Sequence, residues 1–251
     1  MRPDPRRAVT AQLIHAMAAW TPWVEGEVRG LQQVVRSGDV VVDVGAGLGI
    51  YTCVLSRLVG PTGVVVSVEP LPGLYAAYDA WLRLRRGGNV SRYDGALGSA
   101  AQPAAPVSVP LRRQRPVTGR AFVTTGATGF GSNGEFAGHR EYDVPVTTLD
   151  QLVNRLDLDR VDFVKADVEG AELAVLRGAT TTIGASRPTV LLEIEDRHLR
   201  RYGYSSGDVV SWFHAHGYEM SVWAEGAWRP VSRVTQLRRN YLFRPAVDAD
   251  A

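Results

Sequence analysis

Val40-Val41-Val42-Asp43-Val44-Gly45-Ala46-Gly47-Leu48-Gly49-Ile50 decides how this chain folds. Its apolar half is fit to be buried on both faces, as strands of parallel sheets are. It runs straight into three alternate glycines, which lack Cβ and let a turn take unusual φ/ψ while a ligand touches bare main chain. A second apolar run, Val64-Val65-Val66-Ser67-Val68, ends on an acid, Glu69. A carboxylate there suits a ribose diol, so the two runs together point to a nucleoside-containing cofactor.

The glycine spacing narrows the choice. A dinucleotide fingerprint needs G-x-G-x-x-G, with its last glycine packing helix on strand beneath a pyrophosphate. Here Gly45, Gly47 and Gly49 alternate, and Ile50 fills the slot of that last glycine. This form, preceded by Asp43, suits S-adenosyl-L-methionine, which has no pyrophosphate to cradle.

Working outward, strand 40–44 is followed by a helix from Ile50 to Val59, stopped by Gly60-Pro61. Strand 64–68 leads through Pro70-Leu71-Pro72 to a helix over 73–86, and a third strand runs from Asn89 to Asp94. Alternation of this kind predicts a parallel sheet with helices on both faces. Upstream, helices over 8–20 and from Glu25 to Arg36 make residues 1–36 a segment expected to pack on or cap the site. Residues 37–251 are the cofactor-binding domain. The alternation breaks at about 98–142, rich in Ala, Pro, Gly, Thr and Ser, which reads as an irregular or hairpin insertion with its tip at Thr128–Gly134. Such an insertion in a compact domain is expected to be a lid.

Regular structure resumes at Asp143–Thr147, with a helix over 149–155 capped by Thr147 or Thr148. Strand 161–166, helix 171–177, strand 189–194 and helix 206–216 follow. Strands 218–223 and 240–243 come last, and the tight turn Ala224-Glu225-Gly226-Ala227 makes them an antiparallel edge. Ligands of open α/β sheets bind at the carboxyl ends of the strands. Those ends bring Asp43, Glu69, Asp94, Asp167, Glu169, Glu193 and Glu195 to one crevice. So many acids need cations or donors around them. A sulfonium with an amino group fits that field, and a phosphate-rich ligand does not. Lys165 should share a strand face with Asp167 and neutralise the cluster. No His/Cys ligand spacing occurs and no metal is expected, although the carboxylates offer an alternative site for a divalent cation.

Composition sets the outer bounds. The 251 residues fit one α/β domain with a little extra at its ends, and 45% hydrophobic residues supply a sizeable core. A net charge of +2 speaks against a dedicated nucleic-acid binder. No apolar run is long enough to span a bilayer, and the polar start Met1–Arg7 has no signal-peptide core behind it. Cys53 is the sole cysteine, which excludes an intrachain disulfide and fits a reducing, cytoplasmic setting. Of the 28 basic residues only Lys165 is not arginine.

Several stretches together resemble the FkbM family of S-adenosyl-L-methionine-dependent methyltransferases. They are Asp43-Val44-Gly45-Ala46, Gly49-Ile50-Tyr51-Thr52, Glu69-Pro70-Leu71-Pro72, Val146-Thr147-Thr148-Leu149-Asp150 and Val161 to Glu172. Arg177-Gly178-Ala179, Arg187-Pro188 and Asn240-Tyr241-Leu242-Phe243 add to the likeness, which covers about residues 35–245. The resemblance implies the class I methyltransferase (Rossmann-like) fold, a seven-stranded, mostly parallel sheet. It also implies transfer of a methyl group to a hydroxyl of a sugar, polyketide or other secondary metabolite. Gly45, Ala46, Gly47 and Gly49 would line the cofactor, with Asp43 orienting the loop or reaching the methionine amine. Tyr51 and Thr52 would cap the helix above it. Glu69, with Pro70 beside it, would hold the ribose hydroxyls, and Asp94, Gly95 and Ala96 would border the adenine. The family often has Asn where this chain has Gly47.

Methyl transfer is an in-line displacement, and an alcohol needs help in losing its proton. Asp167 is expected near the methionine moiety or acceptor, with Glu169 as the base. Acids just ahead of a helix also have a purely structural explanation. His198 is a second candidate base from the opposite wall, or an exposed loop residue. The competing function is a nucleoside-binding scaffold without turnover. Nucleic-acid methylation is disfavoured by the charge and by the lack of an Asn-Pro-Pro-Tyr-like motif. A homodimer is left open.

Overall fold

The computed structural model describes residues 26–71, 88–235 and 237–246. The expected helices over 8–20 and 73–86 lie outside the described residues. The segment from Gly26 to Gln33 is a 3-10 helix rather than an α-helix.

Strand β1 (Val40–Val44) leads through the glycine turn into helix α1 (Ile50–Val59), and β2 (Val64–Glu69) and β3 (Val90–Asp94) follow. The insertion contains β4 (Ala96–Leu97), β5 (Gln102–Arg112), β6 (Arg115–Pro116), β7 (Phe122–Val123) and β8 (Gly138–Thr147). Next come α2 (Leu149–Arg155), β9 (Phe163–Ala166), α3 (Glu172–Arg177), α4 (Thr180–Ser186) and β10 (Thr189–Glu193). The chain continues with α5 (Asp196–Leu199), α6 (Ser206–Ala215), β11 (Tyr218–Ala224), β12 (Ala227–Pro230) and β13 (Asn240–Pro245).

The main sheet runs β12-β11-β13-β10-β9-β1-β2-β3. Its five strands from β10 to β3 are parallel, and β13, β11 and β12 are antiparallel. The sheet therefore has eight described strands where seven were expected. The turn at Ala224–Ala227 does not join the last two expected strands. It closes a hairpin with the extra strand β12, while β13 slots between β10 and β11. Four residues ending in Arg-Pro carry too short a pattern to be read in advance.

Side-chain alternation splits the strands between two cores. Val41, Val65, Phe163 and Leu191 face the core beneath α1 and the 3-10 helix. Val42, Val66, Val164 and Leu192 face the larger core under α2, α3 and α6. Each fully buried valine or leucine contributes about 1.5–3 kcal/mol, which fixes the strand register and hence the positions of the strand tips.

The insertion is regular structure. β5 and β8 pair antiparallel over their length, with an irregularity between Gln102 and Ala105, and β4, β6 and β7 complete a second sheet. Prolines at 103, 106 and 110 hid β5 in the sequence. Pro106 and Pro110 offer their carbonyls to Thr124 and Val117, so their missing N–H groups face the sparsely paired side and not the β8 ladder. The segment 128–134 is not a free tip. Thr128 N and Oγ1 both donate to the Arg201 carbonyl, at 2.6 and 3.0 Å.

Candidate active site

The topological switch point lies between β1 and β9, and the site is built there. Gly45 N and Ala46 N both donate to the Val68 carbonyl at 3.0 Å, tying the β1 tip to β2. Gly45 has φ +75, and a Cβ there would be driven into the Asp167 carbonyl. The first glycine therefore allows two strand tips to touch. Gly47 also has positive φ, but nothing lies within 4 Å of its Cβ position, so its main chain is open to a ligand.

Asp43 is buried beneath this turn. Thr52 Oγ1 donates to its Oδ2 at 2.5 Å and lies 3.1 Å from Ser67 Oγ. Burial pushes the Asp43 carboxyl up to about 6, against the pull of Thr52 and Lys165. Asp43 and Thr52 thus brace the turn from behind and stand outside the cavity lining, which corrects the expected contact of Asp43 with a methionine amine. The expected cap by Tyr51 and Thr52 is also corrected, because Gly49, at φ 78, is the N-cap of α1 and no side chain caps it.

Glu69 Oε2 accepts from Gly47 N at 2.8 Å, and its Oε1 accepts from Leu71 N at 2.9 Å. Burial raises this carboxyl, and the two backbone N–H groups act to lower it. The acid expected at a ribose therefore also fixes the glycine turn.

A cavity of about 360 Å³ opens over these tips. Its floor is Gly45, Ala46 and Gly47 with Glu69 and Pro70, and Asp167 to Glu169 form one wall. Tyr51 and Ala96 also line it, and the hairpin residues Gly119, Phe122 and Val123 close it from above. Gly49, Asp94 and Gly95 stand outside this lining. The Asp94 side chain is 73% exposed and pairs with Arg92 at 2.7 Å. At Gly95 a Cβ would meet the Pro145 carbonyl at 2.6 Å, so that glycine serves the junction with β8.

Asp167, Glu169 and Glu193 each bring a carboxylate oxygen within 4.8 Å of the others. Lys165 Nζ is buried 3.8 Å from Asp167 Oδ2 and sits 5.0 Å from the centre of the Tyr51 ring. Burial, with the Asp167 carboxylate beside it, pushes Glu193 far above the usual range. The three oxygens could also hold a hard divalent cation. Glu195 is engaged elsewhere: burial acts to raise its carboxyl, but bonds from Arg197 at 2.6 and 2.8 Å outweigh that and lower it.

His198 is 2% exposed, and its Nδ1 lies 2.9 Å from Glu169 Oε2. It is neither on the opposite wall nor an exposed loop residue. Gly170, at φ +106, has no Cβ to hold the chain away, so the turn packs directly on the His198 carbonyl and places the imidazole behind Glu169.

The Methyltransferase FkbM domain model matches residues 43–220. The chain belongs to this family. The fold and family are those of S-adenosyl-L-methionine-dependent methyltransferases. A methyltransferase FkbM from Methylobacillus flagellatus KT superposes with a TM-score of 0.51 at 14% identity, covering 96% of this chain and 55% of that one. A hexuronic acid methyltransferase, AglP of Haloferax volcanii, is 27% identical over 170 residues, 64% of this chain and 61% of that protein. A protein-L-isoaspartate O-methyltransferase of Methanothrix thermoacetophila is 35% identical over 105 residues, 37% of this chain and 50% of that protein. The chain thus spans half to about three-fifths of the length of these two relatives.

The cradle of this FkbM domain fits the cofactor. Open main chain at Gly47, a buried acid at Glu69 and the Asp167 carboxylate suit an adenosyl group joined to a cationic amino acid. Sequence reasoning did not find Arg120, whose Nε lies 3.9 Å from Glu169 Oε2. Nothing in the local sequence marks it, because hairpin pairing alone brings it there. Leu48, 62% exposed, and Ile50 line the cavity as an apolar rim on the glycine turn. Among the described residues no helix is long and apolar enough to cross a membrane.

Proposed function

We propose that this chain is a small-molecule O-methyltransferase, acting on a hydroxyl of a sugar, polyketide or comparable metabolite. The observation that carries the reading is Glu169, a buried carboxylate on the cavity wall, held in a left-handed backbone conformation at φ +54 beside the glycine cradle. A non-glycine residue in that region is strained and persists where its surroundings impose it. S-adenosyl-L-methionine, when bound, would supply a sulfonium-bound methyl group activated for transfer to an oxygen nucleophile. Gly45 to Gly47 and Glu69 would hold and orient it. Lys165 places a counter-charge 3.8 Å from Asp167 at the cavity wall. Glu169 takes the proton of the acceptor hydroxyl as its oxygen becomes the nucleophile. The hairpin residues Phe122 and Val123 exclude water, which strengthens each of these interactions. The name of the Haloferax relative, a hexuronic acid methyltransferase, supports a sugar-class acceptor.

Radiolabelled-methyl transfer to a panel of sugars, uronic acids and phenolic polyketides tests this proposal. Label should reach at least one acceptor, with kcat falling about 100-fold or more in Glu169→Gln, in line with general-base catalysis. Glu69→Ala should abolish binding of S-adenosylhomocysteine. Binding of that compound without transfer to any acceptor would make the chain a scaffold. The carboxylate trio favours a second reading, cation-assisted deprotonation, in which a chelator removes activity and Mg²⁺ restores it.

A further inference from the structure

Glu169 is the centre of a clamp made by two elements that are remote in sequence. From α5, His198 Nδ1 reaches Oε2 at 2.9 Å; from the hairpin, Arg120 Nε stands 3.9 Å from the same oxygen. All three side chains are largely buried, at 11% exposure for Glu169, 3% for His198 and 19% for Arg120. The backbone of the turn is fixed as firmly. Glu172 Oε1 accepts from Gly170 N at 3.1 Å and Val168 N at 3.3 Å, and Gly170 rests on the His198 carbonyl. The two supporting elements are themselves joined. Arg120 and Arg201 both donate to Ser132 Oγ, at 3.2 and 3.3 Å, and Tyr202 Oη donates to the Val123 carbonyl at 2.6 Å.

We propose that His198 and Arg120 are positioning residues that act through Glu169. After a small rotation of either side chain, His198 donates its Nδ1 proton to Oε2, which fixes the carboxylate and leaves Oε1 for the acceptor hydroxyl. Arg120 adds a positive charge that keeps the pair aligned, and because it rides on the hairpin it ties the cavity roof to the base. His198 Nε2, Glu169 Oε2 and Arg120 Nε are all buried with no hydrogen-bond partner among the described residues, and His198 Nδ1 stands 2.9 Å from that Oε2, so the small rotation completes a bond between them. A histidine retained for packing would need no carboxylate oxygen 2.9 Å from its ring nitrogen. This inference rests on the reading of Glu169 as the base.

Two measurements on the full chain test it, and the second needs no acceptor. In the labelled-methyl assay, His198→Leu should lower kcat about 10-fold or more, with KM and S-adenosylhomocysteine affinity within two-fold of wild type. His198→Asn, whose amide can donate from near the Nδ1 position, should recover most of that loss. Arg120→Met should lower kcat several-fold. In a Glu169→Gln background His198→Leu should cost nothing further, because the group it positions is gone. An equal loss in that background, or wild-type kcat in His198→Leu, overturns the inference and leaves the base assignment standing. Wild-type kcat in Glu169→Gln alone overturns the base assignment instead. Nitrogen-15 NMR of the histidine-labelled wild type, with His198 assigned by its loss in His198→Asn, should show a protonated Nδ1. A bare Nδ1 refutes the clamp whatever the variants do.

Discussion

Replacing Gly45 by Ala asks whether the glycine turn is there for backbone freedom or for contact. Gly45 sits at φ +75, where an L-residue costs about 1–2 kcal/mol. Its Cβ would also be driven into the Asp167 carbonyl oxygen and stand 3.0 Å from the carbonyl carbon. That neighbour is backbone of the β9 tip, and Asp167 N is bonded to the Val44 carbonyl at 3.0 Å. Relief therefore means moving the two tips apart by roughly 1 Å, which weakens bonds worth about 1 kcal/mol each. We expect Gly45→Ala to cost about 3 kcal/mol or more in urea unfolding, and S-adenosylhomocysteine binding by calorimetry to weaken at least about ten-fold. Gly47→Ala is the control, since its Cβ meets nothing within 4 Å and its φ of +55 leaves only the conformational cost of about 1 kcal/mol. If Gly45→Ala unfolds within 1 kcal/mol of wild type, the touching of the strand tips is not what requires glycine. Equal costs in the two variants would assign the whole effect to backbone conformation.

Burial pushes Glu172 up to about 7, so its contribution to stability is present below about pH 4.5 and is lost as pH rises through 7. Glu172→Gln keeps the acceptor for Gly170 N and removes the buried charge. Its stability relative to wild type should rise by on the order of 2–3 kcal/mol between pH 5 and pH 8 in urea titrations; a pH-independent difference refutes this. Thr52→Val removes the donor to buried Asp43 and should cost about 1–3 kcal/mol at pH 8. The cost should shrink at pH 5, below the value of about 6 for Asp43, where that carboxyl is protonated. Tyr241 Oη accepts from Thr235 N at 2.8 Å and faces the Thr235 and Arg238 carbonyls at 3.0 and 3.3 Å. Tyr241→Phe should lose about 1–2 kcal/mol and speed hydrogen exchange at the Thr235 amide; unchanged exchange would show that the hydroxyl does not hold that loop.

The sequence by itself determined the parallel half of the sheet and the glycine turn at its switch point. Both follow from patterns a few residues long: valine runs buried on both faces, three alternate glycines, and an acid closing the second strand. Local chemistry also narrowed the cap of α2 to Thr147 or Thr148, and the structure shows Thr148, whose Oγ1 accepts from Gln151 N. Tertiary structure decided what joins segments far apart in the chain. Pairing with β8 made a strand of the proline-rich stretch 102–112, and packing of Gly170 on α5 turned His198 into the partner of Glu169. The hairpin brought up Arg120, and burial made Asp43 a brace and raised the carboxyl of Glu193. The physical reason is common to these cases. A backbone propensity or a glycine's freedom belongs to a residue and its neighbours, whereas burial and charge pairing belong to whatever the fold places within a few ångströms.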